Sequence, residues 1–278
     1  MRLASGHVAV QLQDDELKKI QKDFEGFSKG LVRLTPGGWL LPAPYTKFAD
    51  KIYKTKPYLP CSDMLMEMGR GEQQQASPML QMLQKVLPDA DPNEGIALQL
   101  TANIPDPRTI KTHLPFSLMT PDLLDTAKVI YVARNPKDVV LSFLHHSRLI
   151  KSIGYIGSLE QYVDYFVKDE LIYGPYWEHL REAWPRRDHP NMHFVFYEDM
   201  KADPMAELRK LNQFLGTDLT EEQLEKVQRT DIVLCFIICE AGEAGGWKGH
   251  LNDMQEAKID IWTKKNTLKL GIKFKYSA

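Results

Sequence analysis

The sequence predicts an α/β fold with a parallel central sheet flanked by helices. Two short runs, Ala127–Ala133 (AKVIYVA) and His193–Tyr197 (HFVFY), are almost wholly apolar and rich in β-branched or aromatic residues. Such runs are typical of strands covered on both faces. Around them lie stretches with apolar residues at three- and four-residue spacing, the period of an amphipathic helix. Strands alternating with helices favour a parallel sheet between helical layers.

Taken in order, Asp14–Phe27 places Leu17, Ile20, Phe24 and Phe27 on one stripe and predicts a first helix. Thr35-Pro36-Gly37-Gly38 is a turn, and Trp39–Leu41 a short strand. Pro42 and Pro44 then lead into a helix over Thr46–Tyr53. Lys54–Asp106 is rich in proline and methionine and yields no strand, although Met79, Met82, Leu83 and Val86 fit one helix face as core filler. After the first buried run, Pro136 suits a first helical turn, and Lys137–Ile150 sets Val140, Phe143, Leu144 and Ser147 on neighbouring turns. Leu159–Phe166, Glu170–Trp184 and Ala206–Leu215 read as helices, as does Glu221–Gln228 behind the N-cap Thr220. There is no internal repeat or long linker, so residues 1–278 are read as a single domain, with 53–106 divergent.

Composition excludes several classes. With 278 residues, 43% of them hydrophobic, the chain can bury a substantial core. A net charge of -2 lacks the basic excess of nucleic-acid binders, so any phosphate site must be local. Three cysteines, Cys61, Cys235 and Cys239, are too few and unpaired in number for a disulfide framework and fit a reducing compartment. No His/Cys cluster has zinc spacing, so no metal is expected. Met1–Asp15 does not read as a signal peptide, and no apolar run approaches the roughly 18 residues of a membrane helix. A cytoplasmic protein without membrane or nucleic-acid partners is the expectation.

Ligands in parallel sheets bind beyond the C-terminal strand ends, which places Arg134 and Tyr197 at the working edge. A guanidinium there, beside a helix N-terminus, is suited to a phosphate through bidentate hydrogen bonds and the helix dipole. Ser142, two helical turns on, can add a hydroxyl. The alternative is that Arg134 pairs with Asp138 or Asp199. In Lys111-Thr112-His113 the cation and the imidazole point to the same side of an extended chain. The cation can hold the imidazole as a free base and steady developing negative charge, or the histidine can be structural.

KTHLPF at 111–116, YVARNPKDVVLSF at 131–143, YGPYWEH at 173–179 and FVFYEDMKADP at 194–204 occur in one order. So does Gly242-Glu243-Ala244-Gly245-Gly246-Trp247-Lys248 near the C-terminus. Together these resemble the cytosolic sulfotransferase family, whose fold is P-loop-NTPase-like, over about Pro36 to Phe274. The resemblance implies transfer of a sulfuryl group from PAPS (3'-phosphoadenosine 5'-phosphosulfate) to a hydroxyl or amine of a small lipophilic acceptor, with PAPS as co-substrate and no metal. It implies His113 as general base and Lys111 as stabiliser of the sulfuryl oxygens. Arg134 and Ser142 would hold the 3'-phosphate, Tyr197 would lie near the adenine, and Gly242 would open the C-terminal cofactor loop. The wording of 245–249 and the lysine-rich 252–265 are similar to insect members, some of which use sulfation to drive dehydration of retinol. A homodimer is compatible with the resemblance, although Asn252–Glu256 matches the vertebrate dimer motif poorly.

Two departures stand out. The family's Gly-containing phosphosulfate loop, roughly TYPKSGTTW, should lie between about Tyr53 and Ser77, and nothing there matches. The family's Arg-Lys before the first loop glycine is replaced by Glu240-Ala241, exchanging attraction for repulsion on the order of several kcal/mol in a poorly solvated site. Weak PAPS affinity and impaired activity are therefore expected. The competing reading is a non-catalytic sulfotransferase-like binding protein. A P-loop kinase would need GxxxxGK[ST], which the chain lacks.

Overall fold

The computed structural model describes residues 1–54, 85, 87–88, 91, 99, 102–103, 107–229 and 244–271. They belong to two compact units. One comprises residues 1–123, 148–156 and 171–175, the other 124–147, 157–170 and 176–278.

The first unit holds an antiparallel sheet of β1 (Val8–Gln11), β2 (Leu31–Thr35) and β3 (Trp39–Pro42), with β2 in the middle. Leu31, Leu34, Trp39, Leu40 and Leu41 are buried there, and the predicted turn at 36–38 joins β2 to β3. Strands β1 and β2 are additions to the sequence reading. In β1 only Ala9 is buried, too little for a periodic signal.

Helix α1 (Asp14–Gln21) stops short of the predicted Phe27. The cause is a competing backbone pairing. Glu25 and Gly26 donate their N–H groups to the carbonyls of Gly154 and Ile153 at 3.0 and 3.1 Å. Gly26 lies so close that a Cβ would stand 2.1 Å from the Ser152 carbonyl oxygen. Phe24 and Phe27 keep their buried places through ring contacts, stacking on each other at 5.2 Å. Helix α2 (Tyr45–Lys54) buries Tyr45, Phe48, Ala49 and Ile52 on one face, as its spacing predicts.

The second unit is built on two parallel strands, β4 (Val129–Ala133) and β5 (Met192–Phe196), in register from Val129 opposite Met192 to Ala133 opposite Phe196. The parallel pairing matches the expectation, but burial on both faces does not. Val129 to Val132 are half-buried and only Ala133 is fully covered. Around the strands run α3 (Pro136–Leu149), α4 (Leu159–Val167), α5 (Tyr176–Ala183), α6 (Tyr197–Ala202), α7 (Pro204–Leu215), α8 (Glu221–Arg229) and α9 (Asp253–Leu270).

Helix starts follow capping chemistry. Ser158 with Gln161, and Asn252 with Gln255, form reciprocal capping boxes. Asp203 and Thr220 cap α7 and α8. Helix α5 begins six residues later than the spacing of Glu170–Trp184 predicts. Residues 171–175 belong to the first unit, where Tyr173 donates its N–H to Leu40 at 2.9 Å and Gly174 accepts from Leu40 at 3.2 Å. Among the described residues no helix is long and apolar enough to cross a membrane.

Candidate active site

At the mouth of β4 the backbone is pinned from two sides. The Tyr176 hydroxyl donates to the Arg134 carbonyl at 2.7 Å, and the Asn135 N–H donates to Glu198 Oε1 at 2.7 Å. The Lys137 N–H donates in turn to Asn135 Oδ1 at 2.9 Å. Two amides where the chain enters α3 are thus satisfied within the protein, so an anion here would rely on side chains more than on the bare helix end. The Arg134 guanidinium lies over the Tyr197 ring, 4.2 Å from its centroid. Tyr197 is 1% exposed and opens α6, directly after β5. Burial pushes its phenol pKa up; Arg134 opposes the rise, while Asp138 and Glu198 add to it. Stacking occupies a face of the guanidinium, leaving hydrogen bonding to its edges. Such a contact contributes roughly 0.5–2 kcal/mol.

Asp138 and Ser142 sit one turn apart on α3, hence on the same face. Ser142 is half-buried. Asp138, offered by the sequence as a partner for Arg134, engages the C-terminal loop with both oxygens. It accepts the N–H of Gly245 at 2.9 Å and of Trp247 at 3.0 Å. Gly245 has φ +78°, a conformation that favours glycine. Next to it, Lys137 lies 4.1 Å from the Trp247 ring centroid and forms a 2.8 Å ion pair with Asp260 of α9. The loop is therefore clamped onto the first turn of α3 by a buried carboxylate and a cation–π contact.

Lys111 and His113 lie in the first unit, on a segment (108–115) without helix or strand. Both are half-buried, with Leu114 and Pro115 buried beyond them. Thr112 Oγ1 accepts the Leu114 N–H at 3.0 Å, which fixes the local turn of the chain. The His113 ring packs against Tyr173 at 5.4 Å, tilted by 39°. Tyr173 has φ +62°, unusual for a bulky residue and a kind of strain that concentrates at functional sites.

The structure thus joins Arg134 to Tyr197, sets Ser142 on the adjoining helix, and keeps Lys111 and His113 on one segment. Gly242, Glu240 and Ala241 lie outside the described residues, as do Cys61, Cys235, Cys239 and the stretch in which the phosphosulfate loop was sought. Sequence reasoning missed Glu198 and Tyr173, and weighed Asp138 only as a partner for Arg134. The signals were present as an acid one turn into NPKD and a tyrosine in YGP, but their partners lie far along the chain.

A family model described as "Sulfotransferase domain" matches residues 47–232. Bovine Sulfotransferase 1A1 is 36% identical over 171 residues, covering 60% of this chain and 57% of that protein. Human Sulfotransferase 4A1 is 33% identical over 187 residues, covering 64% of this chain and 66% of that protein. The chain therefore matches less than two thirds of the length of either relative. Among solved structures, retinol dehydratase in complex with retinol and PAP is similar with a TM-score of 0.74 and 25% identity, covering 96% of this chain and 98% of that one. A second retinol dehydratase structure, with androsterone and inactive cofactor PAP, gives 0.73 and 25%, covering 97% and 98%.

Proposed function

This chain belongs to the sulfotransferase domain family, and from that premise we propose that it transfers a sulfuryl group from PAPS to a hydroxyl of a small lipophilic acceptor. The observation that carries the proposal is the Arg134 guanidinium laid over Tyr197 at the end of a parallel strand pair, where the chain enters α3. The fit to a ribose phosphate is chemical. A planar fork fixed by stacking offers parallel N–H donors to an oxyanion, and Ser142 adds a hydroxyl. Tyr197 acts mainly as the platform of Arg134. With a face under the guanidinium and 1% exposure, it has little surface left for the adenine. Gly242, immediately before the loop held by Asp138, belongs to the same proposal.

In this reading the nucleotide donor supplies the sulfuryl group and leaves as PAP. His113 takes the proton of the acceptor hydroxyl as its oxygen bonds to sulfur and the sulfur–phosphate oxygen bond breaks. Lys111 offsets negative charge on the sulfuryl oxygens. Such chemistry rests on positioning and electrostatics, as phosphoryl transfer does, and needs no metal. Retinol and androsterone in the related complexes make lipophilic alcohols the first acceptors to test.

The test is a pair of measurements. PAP should raise the melting temperature of the wild-type chain and should do so far less for Arg134→Ala, since a ligand that binds only the native state stabilises it. Mass spectrometry should then detect sulfated product, or its dehydration product, from PAPS and a lipophilic alcohol. PAP binding without turnover would instead favour a non-catalytic binding protein, and no PAP response at all would refute the nucleotide site.

A further inference from the structure

Among the described residues, three that are not glycine stand at positive φ. Asp169 (+59°) and Asp218 (+50°) are of a type that tolerates the left-handed region, whereas Tyr173 (+62°) is bulky. Such a conformation persists only where the surroundings over-determine it. At Tyr173 they act on the backbone. Its N–H donates to the Leu40 carbonyl at 2.9 Å, and Leu40 donates its own N–H to the Gly174 carbonyl at 3.2 Å. Leu40 belongs to β3 and is fully buried, as are Leu171 and Ile172 just before the tyrosine. Residue 173 is thereby fastened to a strand of the first unit, the unit that also carries the 108–115 segment.

The ring carried at that fastened position meets His113, with centroids 5.4 Å apart and planes tilted by 39°. The segment of His113 has neither helix nor strand to hold it. Thr112 Oγ1 shapes the backbone there by accepting the Leu114 N–H, but the direction of an imidazole is set by its side-chain torsions, and the outer one is broad. An aromatic wall on a pinned backbone narrows that freedom before an acceptor arrives. We propose that Tyr173 is a positioning residue for His113: its ring, locked to β3 through a strained backbone, orients the imidazole for proton abstraction. This role rests on the reading of His113 as the general base. It belongs to the ring and not to the phenol hydroxyl. Misplacing a catalytic group by about 1 Å can cost on the order of 10²-fold in rate, so losing the wall should be felt in kcat and not in binding.

The test is a double-mutant cycle with a spectroscopic arm. Tyr173→Asn removes the ring while keeping a residue type suited to positive φ, so the circular-dichroism spectrum should be that of the folded chain. Its kcat should fall about 10- to 100-fold with the KM for PAPS and for the alcohol unchanged. Tyr173→Phe keeps the ring and should recover most of that loss. In a His113→Asn background, Tyr173→Asn should cost nothing further, because a residue that acts through the imidazole has nothing left to orient. An unchanged kcat in Tyr173→Asn, or an equal loss in both backgrounds, overturns the positioning role. Full kcat in His113→Asn overturns the base itself, and the role with it. Carbon relaxation of the His113 ring, measured by NMR without any turnover, should show an ordered imidazole in the wild type and Tyr173→Phe and a mobile one in Tyr173→Asn. Equal order in all of them overturns the proposal whatever the activity.

Discussion

The strand end at Arg134 and the segment around His113 carry the two halves of the proposed chemistry, yet they are held by different means. Around Arg134, the carbonyl is fixed by Tyr176, the following amide by Glu198, and the guanidinium by an aromatic platform. Asp138, in the first turn of α3, adds a carboxylate clamp on the 244–250 loop. His113 sits instead on a segment without helix or strand, shaped by a threonine hydroxyl and a tilted ring contact with Tyr173. The difference follows from the tasks. An anion site must have its donors in place before the ligand arrives, because reorganising charged groups on binding costs affinity. A general base needs reach and the right protonation state, and geometry near the reacting atom can tighten when substrate binds. Rigid secondary structure serves the first need, and an irregular segment suffices for the second.

Variants that separate the two regions give the sharpest tests, and the largest effect is expected at His113. Replacement by asparagine removes the proton acceptor and should lower kcat by about 10²- to 10⁴-fold. PAP affinity, measured by calorimetry, should be unchanged. A His113→Asn variant with full kcat, or with lost PAP binding, would erase the distinction between base and anion regions.

Asp138→Ala should produce the next largest change, felt in stability before catalysis. It leaves the Gly245 and Trp247 N–H groups without their acceptor, at a cost of roughly 1–3 kcal/mol for each donor that stays buried. Urea unfolding should report the loss, and limited proteolysis should show faster cleavage within 244–250. An unchanged midpoint would mean that the loop is not held by this carboxylate. Arg134→Lys should come third. Lysine keeps the charge but neither the planar fork nor the stacking on Tyr197, so PAP affinity should fall about tenfold, while loss of a contact of roughly 0.5–2 kcal/mol should lower the melting point of the free protein by only a few degrees.

What could be read in advance depended on how locally each feature is encoded. The parallel strands, helix α3 and the ordered motifs KTHLPF and YVARNPKDVVLSF are contiguous, and their residue types announce two strands, a helix start and the family directly. Strand β1 buries one residue and has no period to read. Helix α1 ends early because Gly26 meets the backbone at residues 152–153, a contact with no trace in the local spacing. Helix α9 escaped for the opposite reason: apolar residues on two faces blur the amphipathic stripe that marks a surface helix. The clamp from Asp138 to Gly245 and Trp247 spans more than a hundred residues, so the motifs at its ends were visible while their connection was not.

The smallest expected effect concerns a peripheral tie in the same unit as Arg134. Asp164 on α4 is held below its ordinary carboxylate pKa chiefly by the hydrogen bond from Lys258 of α9, with Lys168 adding to the effect. A carboxyl whose pKa is lower in the folded state stabilises fully above its unfolded value of 3.8 and loses that contribution as pH falls through the folded value. Because the pair is largely open to solvent, the contribution is below about 1 kcal/mol. Asp164→Asn should therefore reduce unfolding free energy slightly at neutral pH, and the gap between variant and wild type should close as the solution is acidified below 3.8. Kinetic constants should not move, since this tie braces α9 against α4 and touches neither Arg134 nor the loop on Asp138. A pH-independent gap would mean that the carboxylate acts through packing and not through its charge.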